Sequence, residues 1–472
     1  MEFSPRRSYR VAGIRWNSPW TQVTLLGFVA FCSVGMFSAI SNLGAGGLDN
    51  VRLSDIANSV LYSTFFVGGF FGGSINNILG PRATMSLGTS GYALYLGSLW
   101  CYQVNRTEWF VILAGGVLGL SAALFWAAHG AIMMSYPLEK DKGRSFTLFW
   151  SVFQLGTIIG ASIALGIEFN STLSGVSTGV YIAFMVIMLT AIFTSWLVLP
   201  PEAVVRGDDT IVKPPETISP KQELVQFVGM FRDWRMLALL PMFFASNYFY
   251  AYQGAITAYL FNGRTRALVA LVTGVGSVVG SWLIGFVNDT LPFNRRKRAL
   301  CSCAFVTVLV VVVWASGLGF QKTFERGQKM VKGEQVPWDW TSGVTGGPIA
   351  LLFAYYVVDA AYQGLAYYTM SSITNDSFRL ARMSGYYKGI QSAGAAVSFG
   401  MDAVSTPFLT EVGVSWGLLL FSLPFCALVL YHVRDSNYEV EHVVHVEHVA
   451  DKDVEIIPAP SEHGHARKNG GS

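Results

Sequence analysis

Long apolar runs broken by short polar turns organise most of this chain. A helix needs about 20 largely apolar residues to cross a bilayer core. Only helices and closed barrels satisfy their backbone groups there. The runs are much longer than the alternating segments of about ten residues that build a barrel. The pattern predicts spanning helices at 20–42, 56–79, 83–103, 109–135, 146–167 and 178–199, then at 236–260, 267–288, 299–319, 347–373, 383–406 and 413–433. The chain thus divides into a polar segment 1–19, a six-helix half 20–199, a linker 200–234, a second six-helix half 235–433 and a tail 434–472. The linker carries five prolines and mixed charges, and ends in ELVQFVGMFRDWR, the pattern of an amphipathic helix lying on a membrane surface. The acidic, histidine-rich tail, Gly/Ser-rich at its end, is expected to be disordered.

Composition agrees with the pattern. Of the 472 residues 52% are hydrophobic and 13% charged, whereas soluble domains average about 25% charged. The net charge of +3 forms no basic, aromatic-interleaved face for nucleic acid. There is no Walker loop and no nucleophile–base constellation, so neither ATP-driven transport by this chain alone nor enzymatic activity is expected, and no cofactor or metal is called for. The five cysteines lie in or beside apolar runs and do not form a disulfide framework.

The first 19 residues are polar and basic and lack the apolar core of a secretory signal. With both termini in the cytosol, lysine and arginine concentrate on the inner loops, as in Arg82, Lys140–Arg144, the linker, Arg295–Arg298 and Arg379–Arg382. The glycosylation sequons at Asn105 and Asn170 then fall outside, while those at Asn288 and Asn375 fall inside. The plasma membrane or the vacuole is the expected location.

Between the second and third spans stands GGSINNILGPR. Gly73, Asn77, Gly80 and Arg82 fall in the register of G-x-x-x-D-R-x-G-R-R, and this loop resembles the signature of the major facilitator superfamily. Asn77 stands where the family has its acid. The signature recurs in degraded form as Gly285 and Asp289 after the eighth span. Gln154 and Gln391 form a second repeat point in the fifth and eleventh spans. The stretches GFVAFCSVGMFSAISNLGAGG, LGPRATMSLGTSGYALY, LLPMFFASNYFYAYQ and FNGRTRAL are similar to the Unc-ninety-three-like branch of that superfamily, its fungal type especially. The resemblance implies an all-α membrane protein of facilitator fold, twelve transmembrane helices in two six-helix halves, with the signature loops acting as a gate. It leaves two functions open, since founding animal members of the branch act as a channel regulator and a trafficking chaperone.

Intramembrane polar residues carry the remaining signal, because a carboxylate at the bilayer centre costs about 2.5–3.5 kcal/mol on insertion scales. Asp359 lies in the middle of the tenth span, and Tyr355, Tyr362 and Gln363 follow at i−4, i+3 and i+4. In the facilitator fold this helix borders the central cavity, which gives the group either a substrate- or cation-handling role or a packing role. His129 in the fourth span suits either proton exchange or a core position. Asn247 and Tyr250 share a face of the seventh span with Gly254, fit for a ligand or for a helix contact. Lys388 is expected to snorkel toward the cytosol, and Asp402 lies too far along the helix to pair with it. The expected protein is a secondary transporter of a small organic solute or cation, in contact with the bilayer and with its small-molecule or ion substrate. The alternative is a non-transporting partner of another membrane protein, a channel or a receptor.

Overall fold

The computed structural model describes residues 9–42, 50–168, 178–212, 219–439 and 441. The first span is α1 (Pro19–Ala30), a π-helical turn (Phe31–Gly35) and α2 (Met36–Asn42). The next five are α3 (Val51–Leu79), α4 (Pro81–Asn105), α5 (Glu108–Ser135), α6 (Lys142–Glu168) and α7 (Thr178–Thr194). After the linker helix α8 (Pro220–Met230), the seventh span is broken into α9 (Trp234–Ala245) and α10 (Tyr250–Leu260). The rest are α11 (Gly263–Thr290), α12 (Arg295–Gln321), α13 (Gly346–Ile373), α14 (Ser377–Ala403) and α15 (Phe408–Tyr431). All twelve predicted spans thus correspond to helices. Eight are long and apolar enough to cross a membrane on composition alone. The others are α3, α4, α14 and the broken pair, whose polar residues are tolerated at membrane depth where neighbouring helices cover them.

Among the described residues, two main seams join the halves, α3 against α14 and α6 against α11, and α5 also packs on α14. Glycine makes the first seam possible, as small residues do between membrane helices. A Cβ on Gly69 would lie 2.5 Å from Gly389 Cα, and one on Gly385 would lie 2.6 Å from the Gly69 carbonyl oxygen. The α3–α4 turn needs Gly80, whose φ of +79° ends α3, and Pro81 then opens α4 where no amide donor is required.

Both ends of the bundle are structured beyond the spans. At the linker end, Arg206 is buried and donates from Nη2 to the Ser135 carbonyl (2.8 Å) and from Nε to that of Tyr136 (3.1 Å), pinning the linker to α5. Helix α8 starts with a capping box between Ser219 and Gln222. It buries Glu223 and Phe227 and leaves Leu224, Val225 and Val228 exposed. Tail residues 434–439 and 441 pack against this end instead of trailing away. Ser436 Oγ donates to Glu139 (2.9 Å), Asn437 Nδ2 to the Ser372 carbonyl (3.2 Å), and the Asn375 amide to Glu441 (2.7 Å). The far end carries the loop between α12 and α13, with a hairpin of β1 (Met330–Val331) and β2 (Glu334–Gln335).

Candidate functional site

A cavity of about 270 Å³ lies between the halves. Its wall runs from mid-bundle residues such as Trp126 and Asp359 to Asp55 at the start of α3 and Asp402 near the end of α14. Both of these aspartates are partly exposed, so the cavity opens at the far end.

The break in the seventh span shapes one wall. Tight turns replace the helical ladder at Ser246–Phe249, with the Tyr248 amide on the Ala245 carbonyl (3.2 Å) and the Tyr250 amide on that of Asn247 (3.3 Å). A discontinuous helix at mid-membrane is a recurring feature of solute sites in transporters. It brings Asn247 and Tyr250 to the cavity, with Asn247 Oδ1 left without a hydrogen-bond partner.

Asp359 is buried at the midpoint of α13. Its Oδ2 accepts from Tyr250 Oη (2.7 Å) and its Oδ1 from Gln363 Nε2 (2.8 Å). Gln363 Oε1 in turn accepts from Lys388 Nζ (3.3 Å), so a neutral amide bridges a buried acid and a buried base. Gln391 Oε1 also accepts from Lys388 Nζ (2.8 Å), and Gln391 Nε2 donates to Ser246 Oγ (2.7 Å). The ammonium stands 4.2 Å from the Trp126 ring centroid and 4.9 Å from that of Tyr387.

Of the residues singled out in the sequence, Asp359, Gln363, Asn247 and Tyr250 meet at this cavity. Tyr355, Tyr362 and His129 lie elsewhere. At about 100° per residue the i−4 and i+3 neighbours of Asp359 fall on its far flank, and the i−3 and i+4 neighbours face inward. The wall therefore takes Tyr356 and Gln363. Tyr355 packs at a tilt against Trp314 of α12, and Tyr362 Oη hydrogen-bonds Ser422 Oγ of α15 (2.6 Å). His129 lies one turn below Trp126, its ring 3.9 Å from that of Phe149 and edge-on to Tyr367, in the packed floor.

The expectation that Lys388 snorkels is overturned. Asp376 caps α14 through the Phe378 amide (2.9 Å), so the helix begins at Ser377 and not at 383. Lys388 is then eleven residues in, about 16 Å along the axis. Its inward placement, and the acid supplied by Glu223 described below, were missed. The i, i+3 spacing of Lys388 and Gln391 was the available signal for the first.

At the linker end the signature loops act as clasps. Asp289 accepts from the backbone amides of Gly143 (3.0 Å) and Arg144 (2.5 Å), capping α6 across the second seam. Gly285 leaves space there for Thr147. Across the first seam, Gly73 lies against the backbone of Ala381 and Arg382. Asn77 Nδ2 donates to the Phe378 carbonyl (3.1 Å) and to Glu223 Oε1 (2.9 Å), and Glu223 Oε2 accepts from Arg382 Nη1 (2.9 Å). The carboxylate missing at position 77 is thus supplied by α8. Arg82 Nε donates to the Val198 carbonyl (2.6 Å). Asn105 is exposed at the end of α4, and Asn170 lies outside the described residues.

Two six-helix halves, glycine seams, paired loop clasps and a central polar cavity define a major facilitator-type multi-pass membrane protein. The solved fucose:proton symporter FucP of this superfamily, in the outward conformation, aligns with a TM-score of 0.57 over 86% of this chain and 98% of its own, at 13% identity. The profile of "Ion channel regulatory protein UNC-93" matches residues 55–321. UNC93-like protein 1 of Arabidopsis thaliana is 38% identical over 428 residues, 90% of this chain and 92% of its own. An UNC93-like protein of Schizosaccharomyces pombe is 37% identical over 426 residues, 89% of this chain and 84% of its own. The chain belongs to the UNC-93 family. Both the fold and the family are of non-enzymatic kinds.

Proposed function

We propose that this protein is a secondary transporter that carries a small organic solute or cation by rocking its halves about the cavity. The observation that carries this reading is the buried Asp359–Gln363–Lys388 chain on the wall of a cavity open at one end and clasped at the other. Buried charges at membrane depth are costly, and ion or substrate pathways are a common reason for keeping them. The lysine and arginine of the linker end favour a cytosolic side for it and for both termini, and on that reading the cavity faces outward. Asn105 is then available for glycosylation. The membrane is the plasma membrane or the vacuole.

The test is solute flux in proteoliposomes of purified protein, with Asp359→Asn alongside. Loss of flux by about tenfold or more supports a transport role for this carboxyl, an effect near 1.4 kcal/mol. Equal flux in the variant removes Asp359 from the mechanism.

A second reading, a regulatory or trafficking partner of another membrane protein, draws on the channel-regulator description of the matching profile and on Asn77 in place of the family's acid. It predicts no flux across a broad solute panel and co-purification with a channel or receptor.

A further inference from the structure

The cavity wall is unevenly charged. Among the described residues its ionisable groups include Asp55, Asp359 and Asp402 against one base, Lys388. Arg326 lies behind Asp402 (2.5 Å) but is shared with Glu411 (3.0 Å), so it does not make the mouth positive. Two polar groups on the wall, Asn247 Oδ1 and Thr157 Oγ1, have no hydrogen-bond partner. Much of the remaining wall is aromatic, including Tyr62, Tyr92, Trp150 and Phe153. An excess of carboxylates, open acceptors and ring faces is the chemistry that receives an ammonium group. One ammonium already sits there, because Lys388 Nζ occupies a box formed by Trp126, Tyr387 and Tyr367 at 4.2, 4.9 and 5.4 Å.

Resting on the carrier reading, we propose that the cavity takes a small organic ammonium cation, seated against Asp359 and the aromatic wall, and that its charge excludes that of Lys388. Loading then breaks one N–H bond of the lysine ammonium. The electron pair stays on Nζ, and the proton passes to water at the mouth. Each Asp359 oxygen accepts one protein hydrogen bond and keeps a lone pair toward the ligand. The titratable groups around Lys388 are Asp359 and Tyr367 on α13, Tyr387 on α14, His129 on α5 and, through Asp359, Tyr250 on α10. Among these, Lys388 is the cation that the incoming charge opposes. A substrate carboxylate would instead face three acids, and a neutral solute would leave the acid excess unanswered.

The experiment uses the full chain in proteoliposomes with tetraethylammonium, lactate and a hexose as cationic, anionic and neutral probes. Tetraethylammonium uptake is expected to rise about tenfold between about pH 6 and about pH 8, because proton and cargo compete. Lys388→Met should flatten that profile, whatever its uptake at any one pH. Asp359→Asn should abolish uptake, and Asp359→Glu should restore part of it. In wild-type protein, a pH dye should report about one proton released per tetraethylammonium bound, a reading that needs no variant to fold. Uptake of lactate or hexose without tetraethylammonium overturns the cation proposal and leaves the carrier reading standing. Tetraethylammonium uptake without proton release, or with an unchanged pH profile in Lys388→Met, overturns the competition. Silence from all three probes overturns both readings.

Discussion

The site turns on one hydroxyl more than on its neighbours. Tyr250 Oη holds Asp359 Oδ2, whereas Tyr362 Oη is spent on Ser422 of α15. Tyr250→Phe is therefore expected to change solute affinity. Tyr362→Phe should lower stability by about 1 kcal/mol, the net worth of one buried hydrogen bond, with affinity unchanged. Ligand titration beside thermal unfolding of both variants separates the two effects, and equal loss of affinity would return Tyr362 to the cavity. Asp359 was legible because an acid in an apolar run is conspicuous. The flank on which its neighbours fall was not, because i+3 and i+4 positions differ by about 100° and only packing decides which faces inward. Lys388 was misplaced for a related reason, since hydropathy locates a span but not the capping residue that starts its helix.

Between elements, α8 replaces what the α3–α4 loop lacks. Glu223 is buried with Arg382 and receives Asn77. Glu223→Gln leaves Arg382 without its ion pair and is expected to cost about 3–5 kcal/mol. Asn77→Asp restores the acid of the superfamily signature yet places a second carboxylate beside Glu223, so it too should destabilise. Combining Asn77→Asp with Glu223→Gln should recover much of the loss, a non-additivity that a double-mutant cycle of thermal unfolding measures. Additive losses would mean that Asn77 and Glu223 do not act as a unit. The sequence marked α8 as amphipathic but gave no sign that its glutamate points inward, because that partnership spans 146 residues between Asn77 and Glu223.

A second clasp nearby titrates. Asp233 caps α9 through the Arg235 amide (3.1 Å) and pairs with Arg379 of α14 (2.7 Å). Burial alone would raise its carboxyl pKa, but the bonds from Arg235 and the charge of Arg379 outweigh it and bring it below the usual value. Its stabilisation is present above the unfolded value of about 3.9 and fades as pH falls through the lower folded value. Unfolding curves of wild type and Asp233→Asn should stay evenly separated from about pH 5 to about pH 8 and converge in stronger acid.

For the whole molecule, the start of the tail ties the halves together. Glu139, before α6, accepts from Ser436 and from the Asn437 amide, and also from Asn375 at the α13–α14 turn and Arg295 of α12. Glu441 holds that same turn through Thr374 and Asn375. Truncation after Val433 is expected to loosen the linker end and favour the opposite-facing state. A cysteine replacing Ser371, buried there, should react faster with a thiol reagent in the truncated protein. An unchanged rate would show that the tail is passive. The two-half architecture was legible from run lengths and the linker. This tie was not, because its partners are polar residues in separate loops with no periodicity to connect them.

The seam of α3 and α14 has a kinetic corollary. Gly69, Gly385 and Gly389 bring bare backbones together, so these positions contribute no rotamers to re-sort when the helices slide apart. In the proposed carrier, the tempo of rocking is then set by how fast the charged hooks at the linker end let go. Loosening a hook should quicken the cycle, whereas adding a single methyl at Gly69 should jam the rail.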